Sequence, residues 1–163
     1  MRRIIFNKDF STGKIPFINK GARMEWLTDT LVFSTTSKGM YMITADISEV
    51  VKRWKVQSGM CFLFLPHTSA SLTLCENYDP LSRKDVENYY EHAVPENQSW
   101  YQHTFEGPDD SPSHIRTTLT QSSISIPIDH GRLSLGTWQG IFLFEHRISS
   151  QRRNLSVRCL KVN

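Results

Sequence analysis

Residues 59–80 read Gly59-Met60-Cys61-Phe62-Leu63-Phe64-Leu65-Pro66-His67-Thr68-Ser69-Ala70-Ser71-Leu72-Thr73-Leu74-Cys75-Glu76-Asn77-Tyr78-Asp79-Pro80, and the order of signals in this stretch decides the fold class. Met60 to Leu65 is a continuous apolar run, the pattern of a strand covered on both faces. Pro66-His67-Thr68-Ser69 turns a corner, and Ala70 to Leu74 resumes as a second strand. Asp79 then offers a side-chain acceptor to the free amides of a helix, and Pro80 occupies a first-turn position where its missing N–H costs nothing. Val86, Tyr89, Tyr90 and Ala93 follow at helical spacing, and Pro95 stops the helix.

Upstream, Leu31-Val32-Phe33 and Met40-Tyr41-Met42-Ile43 read as two strands joined by a hairpin turn at Ser37-Lys38-Gly39. Ile47, Val50, Val51 and Trp54 then share a helical face, with Asp46 as its expected cap and Glu49 completing a capping-box-like pair. Downstream, a short helical turn is expected from Ser113 to Leu119, and strands over Ser122 to Ile128, Trp138 to His146 and Leu155 to Val162. Many strands and two amphipathic helices predict an α+β domain, mainly an antiparallel β-sheet sandwich.

The chain has 163 residues, enough for one core and too few for two. It divides into an extension, residues 1–23, and a single domain, residues 24–163. No apolar run approaches the ~20 residues that span a bilayer, so a membrane protein is not expected. A net charge of +3 with scattered basic residues gives nucleic-acid binding little support, whereas small anions fit it. Three cysteines, Cys61, Cys75 and Cys159, cannot all pair, and two lie in strand-like runs, so reduced thiols and a cytoplasmic location are expected. The extension carries Arg2, Arg3, Lys8, Lys14, Lys20 and Arg23 against Asp9 alone. It reads as an organelle-targeting peptide, a loose arm, or residues ahead of a start at Met24.

The segment His103-Thr104-Phe105-Glu106-Gly107-Pro108-Asp109-Asp110-Ser111-Pro112-Ser113-His114 crowds two imidazoles with three carboxylates. Its prolines and glycine favour one fixed irregular shape. His67, after a buried strand, adds a third imidazole, and His67, His103 and His114 together have the ligand count of an open catalytic zinc centre. His67 also has a structural reading as a core or capping histidine, and Asp110 one as a helix cap. Glu76 shares a strand face with Leu72 and Leu74, so its carboxylate needs a partner or a metal there. Glu76, Glu106, Asp109 and Asp110 are therefore the candidate bases or oxygen ligands. Gly131 to Gly140, containing Thr137 and Gln139, resembles an anion-cradling loop without matching a known phosphate fingerprint. Arg116 and Arg147 are the candidate phosphate binders, although Arg147 has a structural alternative in pairing with its strand neighbour Glu145.

These motifs, taken in order, resemble the YjbQ family, known as secondary thiamine-phosphate synthases. The resemblance rests on His67-Thr68-Ser69-Ala70-Ser71-Leu72-Thr73-Leu74, Glu76-Asn77, Asp79-Pro80, Val94-Pro95, His103, Glu106-Gly107-Pro108-Asp109-Asp110, Pro112-Ser113-His114-Ile115, Gly131-Arg132, Gly136-Thr137-Trp138-Gln139-Gly140-Ile141 and Glu145-His146-Arg147. It covers roughly Trp26 to the C-terminus, departs where Cys75 replaces a common Asn, and leaves residues 1–23 outside. It implies a YjbQ-like fold, a homotrimer, and a metal or anion site at His67, His103 and His114 beside the acidic loop. It also implies a transferase joining a pyrimidine diphosphate to a thiazole phosphate, with Glu106, Asp109 and Asp110 holding magnesium and Arg147 or Arg116 on phosphate. The residues themselves equally fit a zinc-dependent hydrolase or lyase of a small phosphorylated or carboxylated substrate, with Glu76 or Glu106 as base, or a non-catalytic trimeric binding protein.

Overall fold

The computed structural model describes residues 23–162; apart from Arg23, the extension read as a targeting peptide lies outside them. Eight strands and three helices follow in the order β1 (Met24–Thr35), β2 (Gly39–Met42), α1 (Thr44–Arg53), β3 (Ser58–Phe64), β4 (Ala70–Glu76), α2 (Pro80–Ala93), α3 (Asp110–Leu119), β5 (Ser123–Asp129), β6 (Arg132–Leu133), β7 (Gln139–Glu145) and β8 (Gln151–Val162). They form two antiparallel sheets, ordered β1-β8-β3-β5-β6 and β2-β7-β4. The α+β class and the antiparallel layering are those expected.

The core lies between the sheets. Cys61, Leu63, Ile126, Ile128, Leu155, Val157 and Cys159 from the larger sheet meet Ala70, Leu72, Ile141 and Leu143 from the smaller, and Ile47, Val50 and Val51 of α1 join them. Strand β7 is buried on both faces. Ile141 and Leu143 point into this core, while Phe142 and Phe144 pack on the other side against Met40 and, from α2, Val86 and Tyr90. Its near-continuous apolar sequence is the consequence of having a layer on each side. Cys61 and Cys159 face each other across β3 and β8, both buried and both free thiols.

Three local expectations are corrected. The segments around Leu31 and Met40 do not form a hairpin. Strand β1 pairs along its whole length with β8, and β2 pairs with β7 of the other sheet. Gly39, at φ 146, turns the chain from one sheet to the other, and the same residue chemistry serves a hairpin or a crossing because both need an unusual backbone angle. Helix α1 begins two residues before Asp46, which sits inside its first turn, and no side chain caps it. Its start is fixed by β7: the Ile141 amide donates to the Thr44 hydroxyl at 2.8 Å, and the Ile43 amide donates to the Ile141 carbonyl at 2.9 Å. Third, the expected turn near Ser113 is a full helix of ten residues starting at Asp110. Pro112 falls in its first turn, where an amide has no intrahelical partner to lose. By contrast, Asp79 caps α2 as expected, accepting from the Leu81 amide at 2.9 Å.

Truncating Phe142, which is wholly buried on β7, to alanine is expected to cost about 3–5 kcal/mol. The same change at Leu81, 68% exposed on α2, should stay within about 0.5 kcal/mol. Urea unfolding of the two variants measures both.

Candidate metal centre

The site grows out of the C-terminal end of β7. Glu145, its last residue, is completely buried. Its Oε2 accepts from Thr35 Oγ1 at 2.9 Å and from Arg153 Nε at 2.7 Å, and its Oε1 accepts from Arg153 Nη2 at 2.5 Å and from the Arg147 amide at 3.0 Å. The pairing of Glu145 with the Arg147 side chain, one of the sequence alternatives, is thus replaced by a pairing with Arg153. That frees the Arg147 guanidinium to reach the acidic loop. Nε donates to Asp109 Oδ2 at 3.0 Å, Nη1 to Asp110 Oδ1 at 2.6 Å and to Glu106 Oε2 at 3.2 Å, and Nη2 to the Glu106 carbonyl at 2.9 Å. Burial alone would lower the Arg147 pKa, but the charges of Asp109 and Asp110 carry it upward.

Asp110, the first residue of α3, and His114, one turn on, share a helix face. His114 Nδ1 lies 2.8 Å from the Thr68 carbonyl oxygen. A carbonyl only accepts, so Nδ1 carries a proton, and Nε2 is the nitrogen that faces Asp110. His103 arrives from the preceding loop, where its carbonyl accepts from the Ser111 hydroxyl at 2.6 Å. His103 Nε2 stands 3.0 Å from Asp110 Oδ2, and His114 Nε2 stands 3.3 Å from Asp110 Oδ1. Among the described residues, His103, Asp110 and His114 form a group whose ligand atoms all lie within 4.8 Å of one another. Ligand atoms about 2.1 Å from a shared ion would be separated by roughly 3.0 Å in an octahedron and 3.4 Å in a tetrahedron, and the two imidazole–carboxylate spacings, one to each oxygen of Asp110, are of that size. Asp110 Oδ2 is buried and receives no hydrogen bond from any described group. His103 is 64% exposed, which leaves one side open to solvent and substrate.

In place of three imidazoles, this chain therefore gathers two imidazoles and a carboxylate. His67 stands apart. Its Nε2 accepts the amide of Asn154 at 2.9 Å, satisfying β8 just beyond the end of β3, and burial and the Arg153 charge hold its pKa down. Glu106, Asp109 and Asp110 come together around Arg147, with Asp109 also accepting from the Ile148 amide at 2.8 Å. Arg116 lies on the far side of α3, gripping Glu91 through Nη1 at 2.8 Å and Nη2 at 2.9 Å. Glu76, Thr137 and Gln139 lie at the opposite end of the smaller sheet, since Ala70 pairs with Glu145 while Glu76 pairs with Gln139. Six residues of strand separate the two ends by about 20 Å. Glu76 has a partner after all, accepting the Tyr78 amide at 2.7 Å and the Asp79 amide at 3.1 Å, and Gln139 accepts from the Gly136 amide at 2.8 Å.

Sequence reasoning missed the roles of Thr68, Arg153 and His146. The Thr68 carbonyl leaves no mark in residue type, and the Glu145–Arg153 pair spans a turn between strands. Asp110 and His114 at helical spacing were a readable signal, hidden by placing the helix start at Ser113. His146 is buried beside Ser71, whose Oγ is 2.9 Å from its Nε2, and its pKa falls to about 3, chiefly through burial and then through Arg116 and Arg153.

Residues 29–162 match the family model described as UPF0047 protein YjbQ-like. The UPF0047 protein YjbQ of Escherichia coli O157:H7 is 43% identical over 131 residues, covering 80% of this chain and 94% of its own length. A UPF0047 protein of Synechocystis is 42% identical over 140 residues, 86% of this chain and 95% of its own. Among solved structures, a YbjQ-like protein of unknown function from Sulfolobus solfataricus superposes with a TM-score of 0.78 at 24% identity, covering 85% of this chain and 99% of its own. An uncharacterized conserved protein of the yjbq/upf0047 family from Clostridium acetobutylicum gives 0.71 at 32% identity, covering 82% and 98%.

Arg147→Ala leaves Asp109 and Asp110 buried without their cation and is expected to cost about 3–5 kcal/mol, measurable by denaturant unfolding. His146 is neutral when folded and titrates near its usual 6.5 when unfolded. Its depressed pKa therefore contributes stability that is fully present above pH ~6.5 and is lost as pH falls toward ~3, on the order of 5 kcal/mol in all. Thermal unfolding across that window should show a shallower pH slope in His146→Phe than in the parent chain.

Proposed function

The chain belongs to the UPF0047 YjbQ-like family, and on that premise we propose that it is a metal-dependent hydrolase of small phosphorylated substrates, with a divalent first-row ion held by His103, Asp110 and His114. The observation that carries this reading is Asp110: its buried Oδ2 receives no hydrogen bond and is faced by His103 Nε2, while His114 Nε2 stands beside its Oδ1. A buried acceptor left bare is costly, and a cation would remove that cost. Two imidazoles and one carboxylate suit zinc, iron or manganese better than magnesium, which prefers oxygen ligands.

An ion bound there supplies Lewis acidity to a phosphoryl oxygen and acidifies a coordinated water. Thr68 orients His114, and Arg147 holds Asp110 so that Oδ2 remains free. Glu106, whose side chain is 66% exposed and gives Arg147 only Oε2, keeps an oxygen with which to accept a proton, and serves as the general base. The transferase reading implied by the resemblance would use the same ion to neutralise a diphosphate leaving group. It also requires cations for a second phosphate, and Arg147 and Arg116 are already committed to Glu106, Asp109, Asp110 and Glu91. That commitment favours hydrolysis. The homotrimer implied by the resemblance and a cytoplasmic location complete the proposal; no helix among the described residues is long and apolar enough to cross a membrane.

Elemental analysis of the purified protein should find about one transition ion per chain, lost in the His103→Ala/His114→Ala variant. The loaded protein should release phosphate from p-nitrophenyl phosphate, with kcat falling roughly 10²–10⁴-fold in Glu106→Gln. Pyrophosphate release from a pyrimidine diphosphate and a thiazole phosphate, without phosphomonoester hydrolysis, would instead establish the transferase. Sedimentation equilibrium should give the mass of three chains.

A further inference from the structure

The segment Gly131 to Gly140 reads as an anion cradle, yet the metal centre makes no use of it. Its first backbone amides are spent: Gly131 donates to the Gln57 carbonyl at 3.0 Å, Ser134 to Pro127 at 2.8 Å and Leu135 to Leu133 at 2.8 Å. An anion at this end of the segment must therefore be met by side chains. His130 and Gly131, at φ 51 and 76, make the tight turn between β5 and β6. That turn fixes Arg132 on β6, against which α1 packs.

Between α1 and β6 lies a cleft of ≈ 530 Å³. One wall is the helix face carrying Thr44, Ser48, Val51 and Lys52, and the other carries Arg132, Leu133 and Leu135. Val51, Leu133 and Leu135 also pack into the core, which makes the floor apolar and fixed. No carboxylate lines the cleft. Among the described residues, neither Lys52 nor Arg132 forms an ion pair, because the nearby acids have other partners. Asp129, opposite Arg132 in the β5–β6 register, accepts from the Ser134 hydroxyl at 2.7 Å, and Asp29 pairs with Arg53. Lys52, Ser48 and Arg132 are all exposed, so a ligand reaches them from solvent.

A cation on each wall, with the Ser48 hydroxyl beside Lys52, suits a dianion better than a single charge. The three aliphatic side chains suit an apolar substituent. We propose that this cleft binds a phosphate monoester of a compact apolar group, with the phosphate between Lys52 and Arg132 and the substituent on Val51, Leu133 and Leu135. The site is independent of the metal centre and of the hydrolytic reading: α1 is fastened to β7 at Ile141, about 13 Å along the strand from Glu145.

The test titrates the full chain with phenylphosphonate, a non-hydrolysable mimic of such an ester, above its second ionisation and at constant ionic strength, following the backbone amide resonances. The expected result is a saturable shift at Ser48, Lys52, Arg132 and Leu133, with about tenfold weaker binding in Lys52→Gln and in Arg132→Gln, each lacking one charge-assisted contact. Both replaced residues are exposed, so the fold tolerates the changes. Lys55→Gln, which removes an exposed cation outside the cleft, should leave the affinity unchanged. Binding at the metal centre would be read separately, at His103 and His114. The absence of a saturable shift at the cleft amides, an affinity unchanged in both cleft variants, or benzoate or inorganic phosphate binding there as tightly as phenylphosphonate would each overturn the proposal.

Discussion

The grip of Arg147 on three acidic residues is the interaction on which the candidate site depends. Asp109 and Asp110 are both buried, and carboxylates removed from water persist only where charge and hydrogen bonds compensate them. Arg147 supplies most of that compensation. It also ties the start of α3 to the end of β7, helped by Ser113 Oγ, which donates to the His146 carbonyl at 2.9 Å. Because Arg147 occupies Asp110 Oδ1, it leaves Oδ2 as the atom presented to His103. The same contact that stabilises the loop selects the oxygen that is presented there.

Arg147 can do this because Glu145 is claimed by Arg153. Side chains alternate along a strand, so Glu145 and Arg147 start on one face as natural partners. Strand β8 brings Arg153 to Glu145, and the two arginines divide the work: one neutralises the strand end, the other the loop. Both contacts sit where β7 leaves the sandwich, a rigid base for groups that must keep fixed distances. Strand β7 is itself held by a core on one face and by the aromatic layer under α2 on the other, so the site inherits its precision from the best-buried strand.

Much of this was legible in the residues. The apolar runs at Met60 and Trp138, the Asp79-Pro80 helix start and the crowding of His103 to His114 each carry a local physical signature, and the structure places strands, a capped helix and a clustered site there. The failures have a common cause. The turn at Ser37-Lys38-Gly39 and the start of α1 are set by partners more than ninety residues away, Gln151 for Thr35 and Ile141 for Thr44, and no local pattern reports them. Glu76 carries no visible duty in the sequence because its partners are backbone amides, which leave no trace in residue type, whereas the structural reading of His67 is the one its contact with the Asn154 amide fits.

By itself, the sequence determined the class of fold, the strand and helix faces, and which segment would concentrate imidazoles and carboxylates, because periodicity and capping chemistry act over a few residues. Only the tertiary structure decided which ligands meet. Antiparallel pairing of β4 with β7 sends Glu76 and Gln139 to one end of the sheet and Arg147 to the other. The turn of α3 brings Asp110 under His114 while His67 is spent on Asn154. Chain proximity sets which residues are available, but hydrogen-bond satisfaction of buried groups sets which of them remain free to bind, and that can be judged only when every partner is in place.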